Sequence, residues 1–302
     1  MLVLYVLTPY IVVCAVFFVL QRRFLYPATE ADSIRITDAG LSRDEARDVS
    51  LSTRDGLTLH GWFVRQTPDE NADASADSLL VICFPGNSGN RRDRVIDCRE
   101  FSRLGCDVLL FDYRGYGDNP GSPNEEDIAA DARRVWAYAT GELARDPEEI
   151  VIFGESIGGA VAVRLAAELC AAGTPPAGLV LSSTFASLPE TVRWHYPYFP
   201  FHWTLLDRWP SVDRIGRVTC PILQLHGTRD DFVPIAHARR LFAAARDTSA
   251  SGIPPRFVEL RGSGHNDLPV MAFRRELNEF LDVVRQPSGS IKQGTSAIPR
   301  RQ

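Results

Sequence analysis

Apolar positions fall into three patterns along the chain, and each predicts a different kind of element. The first is an unbroken run: residues 2–20 carry no charged side chain. As a helix that stretch is about 28 Å long, close to the hydrocarbon thickness of a bilayer. The second is alternation. Residues 48–64 alternate apolar and polar positions around Asp55-Gly56, a hairpin signature with glycine at the turn. The third begins at Leu79, where short apolar runs alternate with longer amphipathic segments. Residues 79–84, 107–112, 150–153, 178–182, 221–226 and 256–260 read as strands of a sheet covered on both faces. Helices are expected around 91–104, 124–140, 158–172, 235–247 and 269–284. The alternation predicts an α/β fold with a mostly parallel, doubly wound sheet, the early hairpin adding antiparallel strands at one edge.

These patterns divide the chain into a membrane anchor and its flank (1–27), one large domain (28–285) and a polar tail (286–302) expected to be disordered. Within the domain, residues 28–48 are polar without a period and read as a connector, and 66–78 as a solvated acidic loop. Residues 184–219 are too long for a simple connection between strands. They hold Phe185, Trp194, Tyr196, Tyr198, Phe199, Phe201, Trp203 and Trp209 and read as a small lid. Its aromatic run can line an acyl pocket, rest at a membrane surface or pack as satellite core.

Composition narrows the function. With 45% hydrophobic and 24% charged residues the chain is an ordinary globular protein, and a net charge of -5 argues against nucleic acid as a partner. The six cysteines lack C-x-x-C spacing, so they read as small hydrophobes rather than a disulfide or zinc framework, favouring a reducing compartment. The N-terminal run lacks the basic start and small-residue cleavage site of a signal peptide, so it reads as an uncleaved single-pass anchor. Arg22 and Arg23 after it favour a cytoplasmic domain.

The candidate chemistry centres on Gly154-Glu-Ser156-Ile-Gly158. It sits between an apolar strand and a helical segment, the context of a nucleophile elbow. Such a turn is tight and needs nearly side-chain-free neighbours, which Gly154 and Gly158 supply. A serine hydroxyl also needs an oriented base and an oxyanion site. After the fifth core strand comes His226-Gly-Thr-Arg-Asp230-Asp231, and after the sixth Gly262-Ser-Gly-His265-Asn-Asp267. The acid is read as Asp230, with Asp231 the alternative, and the base as His265. His195 and His202 fall in the aromatic insertion, His237 on a helix where it should be solvated, and His60 in the hairpin. His226 ends a strand and should brace the turn. The backbone N–H of Ile157 and of Asn87, in the loop 84–90, are the expected oxyanion donors. No metal or organic cofactor is called for, and no H-E-x-x-H or P-loop pattern occurs.

The segments FPGNSGNR (84–91), FDYRGYGDNPGSPNEED (111–127), GESIGGAVAVRLA (154–166), LSSTFASLPE (181–190), LQLHGTRDDFVP (223–234) and GSGHND (262–267) resemble the Bem46-type α/β-hydrolases. That resemblance covers residues 22 to about 284. It implies an α/β-hydrolase fold, a signal anchor, and nucleophile, acid and base at the positions of Ser156, Asp230 and His265. Two departures stand out: Pro85-Gly86 where many α/β-hydrolases have His-Gly, and Asn119 where the R-G-Y-G-x-S pattern has serine.

The expected activity is hydrolysis of an acyl ester or thioester through a Ser156 acyl-enzyme, on a small-molecule or lipid-like substrate or an acylated protein. A serine peptidase using the same triad is the alternative enzyme, and a non-catalytic membrane-tethered binding protein the alternative of another class.

Overall fold

In the computed structural model, which describes residues 2–67 and 78–285, the apolar runs become the strands expected of them, within a residue or two. They are β1 (Ala46–Ser52), β2 (Thr58–Val64), β3 (Leu79–Phe84), β4 (Cys106–Phe111), β5 (Ile150–Glu155), β6 (Gly178–Ser182), β7 (Ile222–Gly227) and β8 (Arg256–Leu260). One sheet joins them in the order β1-β2-β4-β3-β5-β6-β7-β8. β1 and β2 pair antiparallel around Gly56, whose φ of 84° suits glycine, and β2 runs antiparallel to β4; the other neighbours are parallel. Every residue of β3 and β4 is buried, as central strands covered on both faces require.

Helices cover both faces. On one, α2 (Val95–Arg103) and α9 (Val270–Arg285) bring Phe101, Leu277 and Phe280 against Val81, Val108 and Val180. On the other, α3 (Glu125–Ala137), α4 (Ile157–Ala171) and α8 (Ile235–Ala243) pack against Ile82, Leu109 and Ile152. The start of α3 is set by its polar residues: the Asn124 side chain accepts from the Asp127 N–H, and Glu125, Glu126 and Asp127 favour the positive end of the helix. Between β6 and β7 the insertion forms α5 (Leu188–His195), α6 (Phe201–Thr204) and α7 (Ser211–Arg214). The polar tail 286–302 and most of the acidic loop (68–77) lie outside the described residues.

Two expectations change. Residues 28–45 are more than a connector: Ile34, Ile36 and Leu41 are buried, and the Ile34 carbonyl accepts from Arg91. Arg91, 1% exposed, also pairs with Asp112 and Asp118 at 2.6 Å each, so it joins this segment to the loops after β3 and β4. The N-terminal helix α1 (Leu2–Leu25) continues a turn and more beyond the uncharged run. It is long and apolar enough to cross a membrane, and its last turns dock on the insertion. Gln21, 1% exposed, accepts from the Leu206 N–H at 2.7 Å and donates to the Thr204 carbonyl at 3.2 Å. Arg22 holds both carboxylate oxygens of Asp207 at 3.1 and 3.2 Å.

Candidate active site

Ser156 stands between β5 and α4 with φ 53° and ψ -118°, a conformation that costs about 1–3 kcal/mol for a non-glycine residue. Close packing around it holds the strain. A Cβ on Gly154 would overlap the Gly158 carbonyl, and one on Gly158 would overlap the carbonyl of Phe84 in β3. The Ser156 N–H donates to the Ser182 carbonyl at 2.9 Å, and the Thr184 hydroxyl donates to the Ser156 carbonyl at 2.7 Å. Glycines therefore let helix and strands close in, and β6 fastens the turn from the other side.

The loops after β7 and β8 bring the other two expected residues to the same edge. His265 Nε2 lies 3.2 Å from Ser156 Oγ, and its Nδ1 lies 2.7 Å from Asp230 Oδ2. The loops are stitched together: Arg229 N–H donates to the Ser263 carbonyl, and Gly262 N–H to the Thr228 hydroxyl. The Asp230 side chain is fully buried. Its Oδ1 accepts from the Phe232 and Val233 N–H groups at 2.9 and 2.7 Å. Burial alone would raise the carboxyl pKa, but hydrogen bonds from His226, His265 and the Val233 N–H more than offset it and hold the group well below the usual range. Asp231 is exposed and stays outside this group.

His226 braces the turn as expected: its Nε2–H donates to the Val233 carbonyl at 2.7 Å and lies 3.2 Å from Asp230 Oδ2. His237 departs from expectation. It is buried with Ala238 and Leu241 on the inner face of α8, and burial pushes its pKa down. His60 pairs with Ser50 across the hairpin, and His195 contacts the Phe232 carbonyl.

The loop after β3 passes beside Ser156: a Cβ on Gly86 would sit 3.7 Å from that of the serine. Two tyrosines hold the loop by its carbonyls, Tyr113 donating to Pro85 and Tyr116 to Asn87. Neither the Asn87 nor the Ile157 N–H has a protein acceptor among the described residues. Asn119, where the sequence departs from R-G-Y-G-x-S, is buried; it accepts from the His60 N–H at 2.7 Å and donates to the Asp112 carbonyl at 2.7 Å. The amide thus pins its own loop to the hairpin and to the residue that follows β4.

Two cavities meet at Ser156. One, of about 580 Å³, is lined almost entirely by apolar side chains from α1, the insertion and the Phe232–Val233 turn. The other, of about 660 Å³, is mixed: Arg94, Asp97, Glu155 and His265 share its lining with Ile96, Phe153, Leu268 and Phe273. Arg94 pairs with Glu155 at 3.2 Å. Burial, then the charge of Glu155, pushes the Asp97 carboxyl up to about 6. Phe232 borders both cavities, its ring centre 5.2 Å from that of His265.

Sequence reasoning missed several of these positions. Ser183, at a positive φ of 49°, donates its hydroxyl to the His265 carbonyl at 3.1 Å and so steadies the loop carrying the imidazole. The polar run Ser182-Ser-Thr184 ending a strand at the catalytic edge was the available signal. The roles of α1, Phe232 and the Arg94–Glu155 pair left no local signature, because each depends on distant segments.

The serine aminopeptidase S33 family matches residues 81–212, the stretch from β3 through the insertion. The uncharacterized protein Rv2307c of Mycobacterium tuberculosis is 41% identical over 271 residues, covering 88% of this chain and 86% of that one. The lysophosphatidylserine lipase ABHD12 of Danio rerio is 34% identical over 284 residues, covering 85% and 73%. Among solved structures the Pyrococcus furiosus esterase Pf2001 shares the fold, with a TM-score of 0.64 at 17% identity over 86% of this chain and 97% of that one. Fold, elbow motif and relatives agree, and the chain belongs to the Bem46-type α/β-hydrolases.

Proposed function

We propose that this protein is a serine hydrolase that cleaves carboxylic esters or thioesters of lipid-like acyl groups through an acyl-enzyme on Ser156. The observation that carries the reading is His265, set between Ser156 Oγ and the buried Asp230 carboxylate beside an apolar cavity. Nδ1–H donates to Asp230, which leaves the Nε2 lone pair facing the serine hydroxyl. As Oγ attacks the acyl carbon, its proton passes to Nε2. The carbonyl oxygen becomes an oxyanion that accepts from the Ile157 and Asn87 N–H groups, each such bond typically contributing about 10²–10³ in rate. The imidazolium then returns the proton to the departing alkoxide or thiolate. Water, deprotonated by the same nitrogen, releases the acid and restores Ser156. Lipase activity in the Danio rerio relative and the apolar chamber together favour a long acyl group. The residues 184–219 act as a lid. α1 anchors the protein in a membrane, and Arg22 and Arg23 favour a cytoplasmic domain by the positive-inside rule.

A second reading has one observation of its own: the matching family is described as an aminopeptidase, and Glu155 and Asp97 beside Ser156 offer carboxylates to a free α-amino group. Fluorophosphonate labelling of wild type and Ser156→Ala, with a panel of p-nitrophenyl esters, acyl thioesters and aminoacyl amides, tests both. Labelling and ester or thioester turnover that vanish with Ser156→Ala are expected. Turnover confined to amides would select the peptidase, and folded wild type that neither labels nor turns over would leave a binding protein.

A further inference from the structure

A third of the residues lining the apolar cavity at Ser156 come from the helix that looks like nothing more than an anchor. Val12, Val13, Val16, Phe17, Phe24 and Leu25 line it from one side of α1, while Leu188, Val192 and Phe201 of the insertion face them. The α1 positions recur at helical spacing, so they form one stripe. The rotation of the helix that presents this stripe is set by specific contacts rather than by apolarity. Gln21 is buried and hydrogen-bonded to Thr204 and Leu206, Arg22 pairs with Asp207, and the Tyr26 hydroxyl accepts from Trp209 Nε1 at 2.9 Å. Phe17 stacks on Phe201 with ring centres 3.9 Å apart, and Tyr10 on Phe199 at 5.3 Å. At the reactive end, the Asn87 side chain donates to the carbonyl of Leu25 at 3.0 Å, which puts the last turn of α1 level with the expected oxyanion loop.

We infer that α1 is a wall of the acyl-binding chamber and that its side chains set the length of acyl chain accepted. The inference rests on the Ser156 hydrolase reading. The substrate chain starts at Ser156, near Leu25, and runs along the stripe toward Val12. The thirteen helical steps from Val12 to Leu25 span about 20 Å, and the nine steps from Val16 to Leu25 about 14 Å. An extended alkyl chain with bonds of about 1.5 Å advances about 1.25 Å per carbon. The full stripe therefore holds about 16 carbons, and the portion below Val16 about 11.

The test is a chain-length profile of the full-length protein in detergent micelles, using p-nitrophenyl esters from two to eighteen carbons. Val16→Trp moves the longest accepted chain to about ten carbons, lowering the ratio of C16 to C8 turnover at least tenfold; Val12→Trp moves it only to about fourteen. Val19→Trp, on the outer face of α1 and absent from the chamber, keeps the wild-type profile. A measurement on the unaltered protein stands beside the variants: a sixteen-carbon fluorophosphonate with a diazirine at its chain end labels Ser156 with loss of fluoride, and irradiation attaches it to α1 residues 11–17 or the facing insertion. Wild-type profiles in Val12→Trp and Val16→Trp, or adducts confined to 266–273 in the second cavity, would overturn the chamber wall while leaving the Ser156 chemistry intact. A wild-type protein inert to both esters and probe would overturn both.

Discussion

Replacing Asp230 by asparagine separates orientation from mere contact. The carboxylate has donors on both oxygens: the Phe232 and Val233 N–H groups on Oδ1, and His265 Nδ1 and the more distant His226 Nε2 on Oδ2. An asparagine must keep its carbonyl toward the two backbone N–H groups, since turning the NH2 there would set donor against donor. The NH2 then faces His265, whose Nδ1 has to accept rather than donate. The proton moves to Nε2, and that nitrogen no longer has a lone pair for the hydroxyl of Ser156 3.2 Å away. Wrong-tautomer substitutions of this kind cost about 10⁴ in turnover, or about 5.5 kcal/mol of barrier. Stability should fall by only about 1 kcal/mol, because His226 keeps the Val233 carbonyl and the backbone contacts remain. The assay is kcat/KM on a short ester beside a denaturation curve, with Asp231→Asn as the neighbouring control expected to stay within about threefold. Asp230→Asn within tenfold of wild type, or Asp231→Asn as damaging, would refute the assignment of the acid.

Three further outcomes follow from the same structure. Arg91→Leu leaves Asp112 buried without its guanidinium and should cost about 3–5 kcal/mol in urea unfolding; a loss under 1 kcal/mol would mean that the Arg91 network is idle. Asp97, held up at about 6 by burial and then by Glu155, binds its proton more tightly folded than unfolded, where about 3.9 is usual. Its contribution is therefore fully present below about pH 4 and lost as pH rises through 6, so Asp97→Asn should gain up to about 2–3 kcal/mol on wild type across that window, and parallel stability curves would contradict this. Gly158→Ala forces a methyl into the Phe84 carbonyl, so it should cost about 3 kcal/mol or more and abolish fluorophosphonate labelling; a stable, labelled variant would show that the elbow tolerates bulk.

Most of the sheet was legible because its central strands are buried on both faces and leave uninterrupted apolar runs such as Leu79-Leu-Val-Ile-Cys-Phe84. Ser156, Asp230 and His265 were legible for a different reason: each lies in a glycine-bearing loop after a strand, so strand order alone brings them to one edge. Burial without a period escaped detection. Ile34, Ile36 and Leu41 sit in irregular backbone whose spacing matches neither helix nor strand. His237 was misread because a histidine next to Ala238 and Leu241 still shares their face of α8. The aromatic insertion divides its expected roles residue by residue: Trp209 is core, Tyr196 and Phe201 line the chamber, and Trp194, Tyr198 and Trp203 are exposed. In α1, apolarity suited to a bilayer and apolarity suited to a cavity lining read alike in the sequence.

The proposed double use of α1 bears on how a lipid substrate would reach Ser156. Asp207 accepts from Arg22 and from the Glu125 N–H, while Glu125 accepts from the Arg208 and Trp209 N–H groups. The helix is thus tied through residues 207–209 to the start of α3 and so to the sheet. On the proposed reading, the bilayer then stands at a fixed height relative to the elbow. Ser156 lies at the polar end of α1, near Leu25, and the exposed Trp194, Tyr198 and Trp203 are the residue types that favour a membrane surface. A chain passing from bilayer to chamber along α1 exchanges one apolar surrounding for another. Passing through water would instead cost about 0.8 kcal/mol per methylene, or about 11 kcal/mol for fourteen. On the same reading, the second cavity, with Arg94, Asp97 and Glu155 in its lining, would take the polar leaving group. On that path only the ester bond needs to reach the boundary between the two cavities, where Ser156 and Phe232 stand.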